Sequence, residues 1–350
     1  MILNVLKVFA PSAISFTIGI AITPMLTYYL YKHRMWKKRS GKRALDGADT
    51  PIFNGLHKKR EVGTPRMGGI IIWASTLATI GAIWLISILF PSDLTQKLDF
   101  LSRNQTWLPL FMLMVGSFIG LIDDWMQVRD REGYIGGLSF WKRLFVVVLL
   151  GLAGAWWFYA RLEMSSVHLP FYGDIFLGIY FIPFFVAVML ALFSSSVIDG
   201  LDGLAGGVMA AIFASFAGIA FFQNQIDLAA FCLVVLGGIL AFLWFNIPPA
   251  RFYMSETGIL GLTTTLTVVA FLTDSVLVLP VIALPLLITS FSVIIQLLSK
   301  RFRHGKKVFL VAPLHHHFEA IGWPPYKVVM RYWVISIVMA IIGMIIAIIG

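Results

Sequence analysis

Residues 199–246 read DGLDGLAGGVMAAIFASFAGIAFFQNQIDLAAFCLVVLGGILAFLWFN, and the fold of the whole chain turns on how that stretch is taken. Its two apolar runs, near 204–223 and 228–246, carry no charged side chain. Each matches the roughly twenty apolar residues that a helix needs to cross the hydrocarbon of a bilayer. The connection between them is short and polar, so the pair reads as two antiparallel membrane spans.

Outward from that pair the same pattern recurs near 5–31, 68–90, 106–122, 143–160 and 175–196 on one side, and near 257–273, 276–299 and 330–349 on the other. With 59% hydrophobic and 13% charged residues, the chain has a balance that no water-soluble core requires. The expectation is an all-α polytopic membrane protein of about ten transmembrane helices, forming one integrated domain over 1–350. No polar stretch has the periodicity of a separate soluble module. The first apolar run, Ile2 to Leu30, is too long for a signal-peptide core and reads as a retained anchor. Cys232, the single cysteine, excludes an internal disulfide or a cysteine-based zinc site.

Basic residues set the orientation. Loops 32–67, 123–143, 247–256 and 300–331 hold 11, 4, 1 and 7 lysines and arginines, whereas the opposite side holds only Lys7, Lys97, Arg103 and Arg161. By the positive-inside rule the rich loops are cytoplasmic and both termini lie outside. The net charge of +10 then follows from topology and contact with membrane lipid headgroups, so no nucleic-acid partner is expected.

Acidic side chains at the ends of apolar helices are expensive and mark function by default. Asp123 and Asp124 close the third run in GLIDDW, Asp199 and Asp202 sit in DGLDG before the sixth, and Glu256 stands in MSETG before the eighth. All five fall on the cytoplasmic side. Carboxylates gathered there would repel one another unless they shared a hard cation, and magnesium, which also takes phosphate oxygens from a substrate, is the expected cofactor. Asp199 and Asp202, three apart, would share a face if they lay on one helical turn. The glycines around them suit either phosphate binding or close helix packing. His315, His316 and His317 stand on the same side near Lys300, Arg301, Arg303, Lys306 and Lys307. Three adjacent imidazoles cannot face one way, so one or two would meet a pyrophosphate while the third packs elsewhere.

GTPRMGG (63–69), GLIDDW (120–125), the DGLDGLAGG run (199–207), FLWFNIPPA (242–250) and APLHHHFEAIGWPPYKVVMRYW (312–333) resemble, in order, the phospho-N-acetylmuramoyl-pentapeptide transferase family. These segments cover 53 residues. The paired aspartates and DGLDGL are shared across the wider polyprenyl-phosphate sugar-1-phosphate transferase superfamily, and the histidine block is particular to this branch. The resemblance implies that undecaprenyl phosphate attacks the β-phosphorus of UDP-N-acetylmuramoyl-pentapeptide, giving lipid I and UMP for peptidoglycan synthesis. It implies a homodimer in the bacterial inner membrane with its active site on the cytoplasmic side. It also implies Asp123 as base or orienter for the lipid phosphate, supported by Asp124 and Asp199, with Tyr253 stacking on uracil and Asn246 beside the uridine.

The chain departs from the family at several points. Ser196 stands where an asparagine is usual and Glu256 where an aspartate is usual, both at positions associated with magnesium; a longer Glu and a shorter Ser would reshape that site. Gln127 replaces a common lysine, so Lys142 or Arg66 is expected to supply the missing positive charge. Lys307 replaces an arginine and loses its bidentate fork. Two other readings stand beside this one: a transferase using another UDP-sugar such as UDP-N-acetylglucosamine, and a non-catalytic lipid-phosphate binding derivative.

Overall fold

The apolar runs fold as helices because, in lipid, each backbone N–H and C=O must find its partner within the segment. The computed structural model describes residues 2–38, 55, 62–101, 105–129 and 137–350. Among these are ten helices long and apolar enough to cross a membrane: Ile2–Lys32, Ile70–Leu89, Trp107–Arg129, Phe140–Arg161, Gly178–Ile198, Leu204–Phe222, Ile226–Asn246, Ser255–Leu272, Leu284–Phe302 and Pro325–Ile349. They are the first to tenth spans below, and they make the chain a multi-pass membrane protein. Much of the basic 32–67 loop, with Arg103 and Arg131, lies outside the described residues.

The eighth span is the central pillar: 89% of its most apolar window is buried, against 22% for the first and the tenth. Without water to drive apolar faces together, helices in lipid associate through close packing of small residues. The third and eighth spans do this. A Cβ on Gly120 would run into the Glu256 carbonyl, and one on Gly261 into the Ser117 hydroxyl. Higher up the same seam the Thr264 hydroxyl donates to the Met112 carbonyl at 3.1 Å. The close approach of these two backbones brings the Asp123-Asp124 pair beside Glu256 and Thr257.

On the other flank, Phe158, Phe181, Phe185 and Phe271 tie the fourth and fifth spans to the eighth, with the Phe185 and Phe271 rings 4.5 Å apart. Phe213, Phe216, Phe231 and Phe242 fill the larger core under the sixth and seventh spans.

Three local expectations need correction. The third span does not end at residue 122; it runs on to Arg129, where the guanidinium lies 4.0 Å over the Trp125 ring. Asp123 and Asp124 therefore sit inside a helix, with Gln127 one turn further on. Asp199 and Asp202 are not on a helical turn: Gly200 and the left-handed Gly203, at φ 80°, interrupt the helix, and regular structure resumes only at Leu204. The ninth apolar stretch breaks into a short helix, Leu279–Ile282, and the span Leu284–Phe302. Pro285, at the start of the latter, has no N–H to continue a ladder. The all-α architecture holds, with one small addition. Strands β1 (Ser166–Leu169) and β2 (Gly173–Phe176) form an antiparallel hairpin between the fourth and fifth spans.

Candidate active site

Because the spans alternate in direction, residues 123–129, 196–203, 247–256 and 303–324 all fall at one end of the bundle. Asp123 is 1% exposed and Asp124 fully buried. Asp124 accepts from Arg66 Nε at 3.2 Å through one oxygen, and from the Thr257 backbone N–H at 2.9 Å and hydroxyl at 2.7 Å through the other. A carboxylate this deep is held by a charge-assisted pair and two further donors, which offsets the cost of removing it from water. Asp123 accepts from Gln127 Nε2 at 2.8 Å and from the Leu138 N–H. Gly137, at φ 104°, lets that backbone close over the carboxylate.

Glu256 heads the eighth span, and its Oε1 accepts from Arg143 Nη1 at 2.5 Å. The same nitrogen lies 3.8 Å from Asp123 Oδ2. Among the described residues, Glu256 Oε2 and Arg143 Nε are both buried without a hydrogen-bond partner. The Arg66 guanidinium, outside the spans, is held firmly charged: burial works against it, but Asp124, Glu256 and Asp199 outweigh that and push its pKa above the usual arginine value.

Asp199 accepts from the Ser255 N–H at 2.8 Å and Asp202 from the Ala250 N–H at 3.2 Å. They thus tie the DGLDG turn to the 247–256 connection from two sides. Asn246 is part of the same brace: its oxygen accepts from the Gly203 N–H and its nitrogen donates to the Phe252 carbonyl, each at 2.9 Å. Tyr253 is half-buried, and its backbone bonds to Pro65 and Gly68, which seats TPRMGG beside the MSETG turn.

His315 and His316 are buried, and a Cβ on Gly200 would collide with the Nε2 atoms of both. The absence of a side chain at 200 is what lets the two imidazoles come up against the aspartate turn. His316 Nδ1 is also 2.7 Å from Glu319 Oε2, which orients its ring. His317 turns away, accepting from the Leu310 N–H at 3.2 Å and lying edge-on to Phe309. Two of the three imidazoles thus lie against the aspartate turn, while His317, also expected to meet substrate, packs against Phe309.

Not every expected residue arrives. Lys142 and Lys307 are exposed; Arg143, the next residue, turns inward in place of Lys142. Ser196 is half-buried in the 3-10 turn Ser195–Ile198, and among the described residues its hydroxyl makes no hydrogen bond to Glu256. Nor do the five carboxylates form a closed cage: among the described residues, no three of them bring ligand oxygens within 4.8 Å of one another. Arg66 and Arg143 stand between them instead. Three contributors escaped the sequence reading. Arg143 was hidden by its lysine neighbour, Thr257 looked like ordinary helix composition, and Glu319 gained meaning only with the His316 ring beside it.

The donor set nonetheless fits a magnesium ion. Such ions commonly take one or two carboxylates together with substrate phosphate oxygens, and Glu256 Oε2 is an orphaned acceptor next to the aspartate pair.

Residues 106–274 match the family model described as Glycosyl transferase family 4. The chain is 34% identical over 304 residues to the phospho-N-acetylmuramoyl-pentapeptide-transferase of Chloroflexus aurantiacus, covering 83% of this chain and 78% of that one. It is 34% identical to the protein of the same name from Latilactobacillus sakei, over 83% of this chain and 86% of that one. Against the Geobacillus thermodenitrificans protein of that name, identity is 32% over 95% of each chain.

Proposed function

The chain belongs to the phospho-N-acetylmuramoyl-pentapeptide-transferase family, and from that premise we infer that it transfers the phosphosugar of UDP-N-acetylmuramoyl-pentapeptide to a polyprenyl phosphate, the step that forms lipid I. One oxygen of the lipid phosphate forms a bond to the β-phosphorus. The bond from that phosphorus to the bridging oxygen breaks, and UMP leaves with the electron pair.

The observation that carries this reading is the interleaving of carboxylates and guanidiniums around Asp123, Asp124 and Glu256. Phosphoryl transfer asks a protein mainly to align the phosphates and neutralise developing charge. Five carboxylates stand at this end against two inward-facing arginines, so a bare diphosphate would be repelled. Magnesium, when bound, would supply the missing positive charge to the phosphates, and Glu256 with Asp123 would hold it. Arg143, between those two side chains, is placed to meet an equatorial phosphate oxygen. Arg66 pairs with Asp124 and fixes it in place, and Thr257 sets its rotamer. A phosphate monoester is largely dianionic at neutral pH, so Asp123 orients the attacking oxygen more than it deprotonates it. His315 and His316, whose Nε2 atoms meet at Gly200 in the aspartate turn, serve the oxygens of the donor's pyrophosphate.

The finer assignments belong to the same proposal. The asymmetry of basic loops, twenty-three residues against four, supports a cytoplasmic active site and both termini outside. The family resemblance supports undecaprenyl phosphate as the lipid and a homodimer as the working state. The test is UMP release by purified protein with undecaprenyl phosphate and either UDP-N-acetylmuramoyl-pentapeptide or UDP-N-acetylglucosamine, with and without magnesium. Release with the first donor only, abolished by chelation, is expected. Release with the second donor alone would overturn the substrate assignment, and no release with either, alongside retained lipid binding, would overturn the catalytic one.

A further inference from the structure

At the end of the bundle opposite the candidate active site, two chain segments about a hundred residues apart, the β1–β2 hairpin and the turn after the eighth span, bring titratable groups together. The β1–β2 hairpin pairs His168 directly across from Asp174. Asp274, in the turn after the eighth span, adopts a left-handed φ of 48°, and its Oδ1 accepts from the His168 backbone N–H at 3.2 Å. One ligand atom from each of His168, Asp174 and Asp274 lies within 4.8 Å of the other two. Among the described residues, neither aspartate is ion-paired with a lysine or arginine.

The imidazole is what sets this cluster apart from an ordinary acidic patch. Its Nδ1 is 2.8 Å from Asp174 Oδ1 and its Nε2 3.2 Å from the Gly350 carbonyl, so both ring nitrogens face oxygen acceptors. A neutral imidazole has one N–H to give. The other nitrogen then directs a lone pair at an oxygen lone pair, which is stable only if a second proton or a metal ion lies between them. The electrostatics agree: the hydrogen bond to Asp174, then that to Gly350, raises the His168 pKa above its usual 6.5, and burial raises that of Asp274. Beside the cluster is a cavity of about 230 Å³ lined by His168, Asp274, Gln223 and Ser275, with room for water.

We propose that His168, Asp174 and Asp274 form a zinc-type divalent metal site that staples the hairpin to the turn after the eighth span. An imidazole ligand with two carboxylates suits zinc, which takes nitrogen and oxygen at about 2.0–2.2 Å, better than magnesium or calcium. Tetrahedral ligands at that bond length stand roughly 3.3 Å apart. Nδ1 and the Asp174 oxygen, 2.8 Å apart, need to open by about half an ångström, which the exposed Asp174 can supply by rotation, and Asp274, whose ligand atom lies within 4.8 Å of theirs, needs to draw in. Nδ1 is the metal-binding nitrogen, since Nε2–H donating to the Gly350 carbonyl fixes that tautomer, the usual outer-shell arrangement for a ligating histidine. Water from the cavity completes the fourth position.

The test is zinc titration by calorimetry, with a parallel melting curve, of chelator-stripped protein held in saturating magnesium. Wild type, His168→Ala and Asp174→Asn are compared. The wild type is expected to bind one zinc more than either variant and to melt several degrees higher with zinc than without. Both variants are expected to lose that site and the gain in melting temperature while retaining UMP release in zinc-free buffer. Affinity rises with pH, because a proton on His168, held there by Asp174, Asp274 and the Gly350 carbonyl, competes with the metal. Zinc titrations identical in wild type and Asp174→Asn overturn the proposal and leave His168 as a protonated clasp. Asp174 is exposed on the hairpin, so its substitution keeps the test decisive even where His168→Ala fails to fold.

Discussion

The two ends of the eighth span present carboxylates in opposite ways. At one end, Glu256 and its neighbours Asp123 and Asp124 are nearly removed from solvent and interleaved with Arg66 and Arg143. At the other, Asp274 accepts from the His168 backbone N–H while the exposed Asp174 takes that residue's imidazole, and among the described residues neither is ion-paired with an arginine. Burial decides the difference. A carboxylate removed from water must be matched by fixed cations and donors or it will not stay ionised, whereas one at a wet surface needs only a proton or a borrowed metal. The first arrangement is preorganised for an anionic substrate carrying its own cation, and the second is a joint between chain segments.

That contrast ranks the consequences of disturbing each end. Asp123→Asn, which keeps the shape and removes the charge, is expected to lower UMP release by a hundredfold or more, about the loss seen when one preorganised electrostatic contact is deleted. Arg143→Ala strikes both activity and stability, because Glu256 is left without its partner. Breaking such a buried pair costs about 3 kcal/mol, and Arg143→Lys is expected to restore the melting temperature more than the turnover, since it returns charge without the fork. Thr257→Val removes only the hydroxyl bond to Asp124. A cost of about 1–2 kcal/mol should appear as a lower melting temperature and a rate reduced by about tenfold or less.

The smallest effect belongs to the far end. His168 has a folded pKa raised above its ordinary 6.5, so its clasp stabilises the fold fully below the unfolded value and loses that contribution as pH rises through the folded one. In zinc-free buffer the melting temperature is expected to drift down from slightly acid to alkaline pH, and His168→Ala should flatten that drift. An unchanged drift would remove His168 from the account of that end.

The two ends also differ in how far the sequence exposes them. Ten spans could be counted because hydrocarbon demands long apolar runs, and that demand is met residue by residue in a single linear pattern. The catalytic end was legible because its acids sit at the mouths of those runs, in GLIDDW, DGLDG and MSETG. What could not be read was the pairing between runs. Nothing in KR at 142–143 says which of the two turns inward; the pitch of the fourth span against the third decides it. Asp199 and Asp202 looked like neighbours on a helix until Gly200 and Gly203 sent them to different backbone donors. The far end was illegible altogether, since His168 meets Asp174 only through a hairpin register and meets Asp274 only after four more spans and a fixed packing of the bundle. Sequence spacing reports local geometry; this cluster is made entirely of long-range geometry.

The account of the catalytic end rests on Glu256 holding, through its free oxygen, the cation that the diphosphate brings. The most direct measurement is the magnesium dependence of UMP release by wild type and Glu256→Gln. The account predicts that the variant needs at least about tenfold more magnesium for half-maximal release, a penalty of about 1.4 kcal/mol on cation binding, with a lower plateau as well. Superimposable magnesium curves for the two proteins would contradict it.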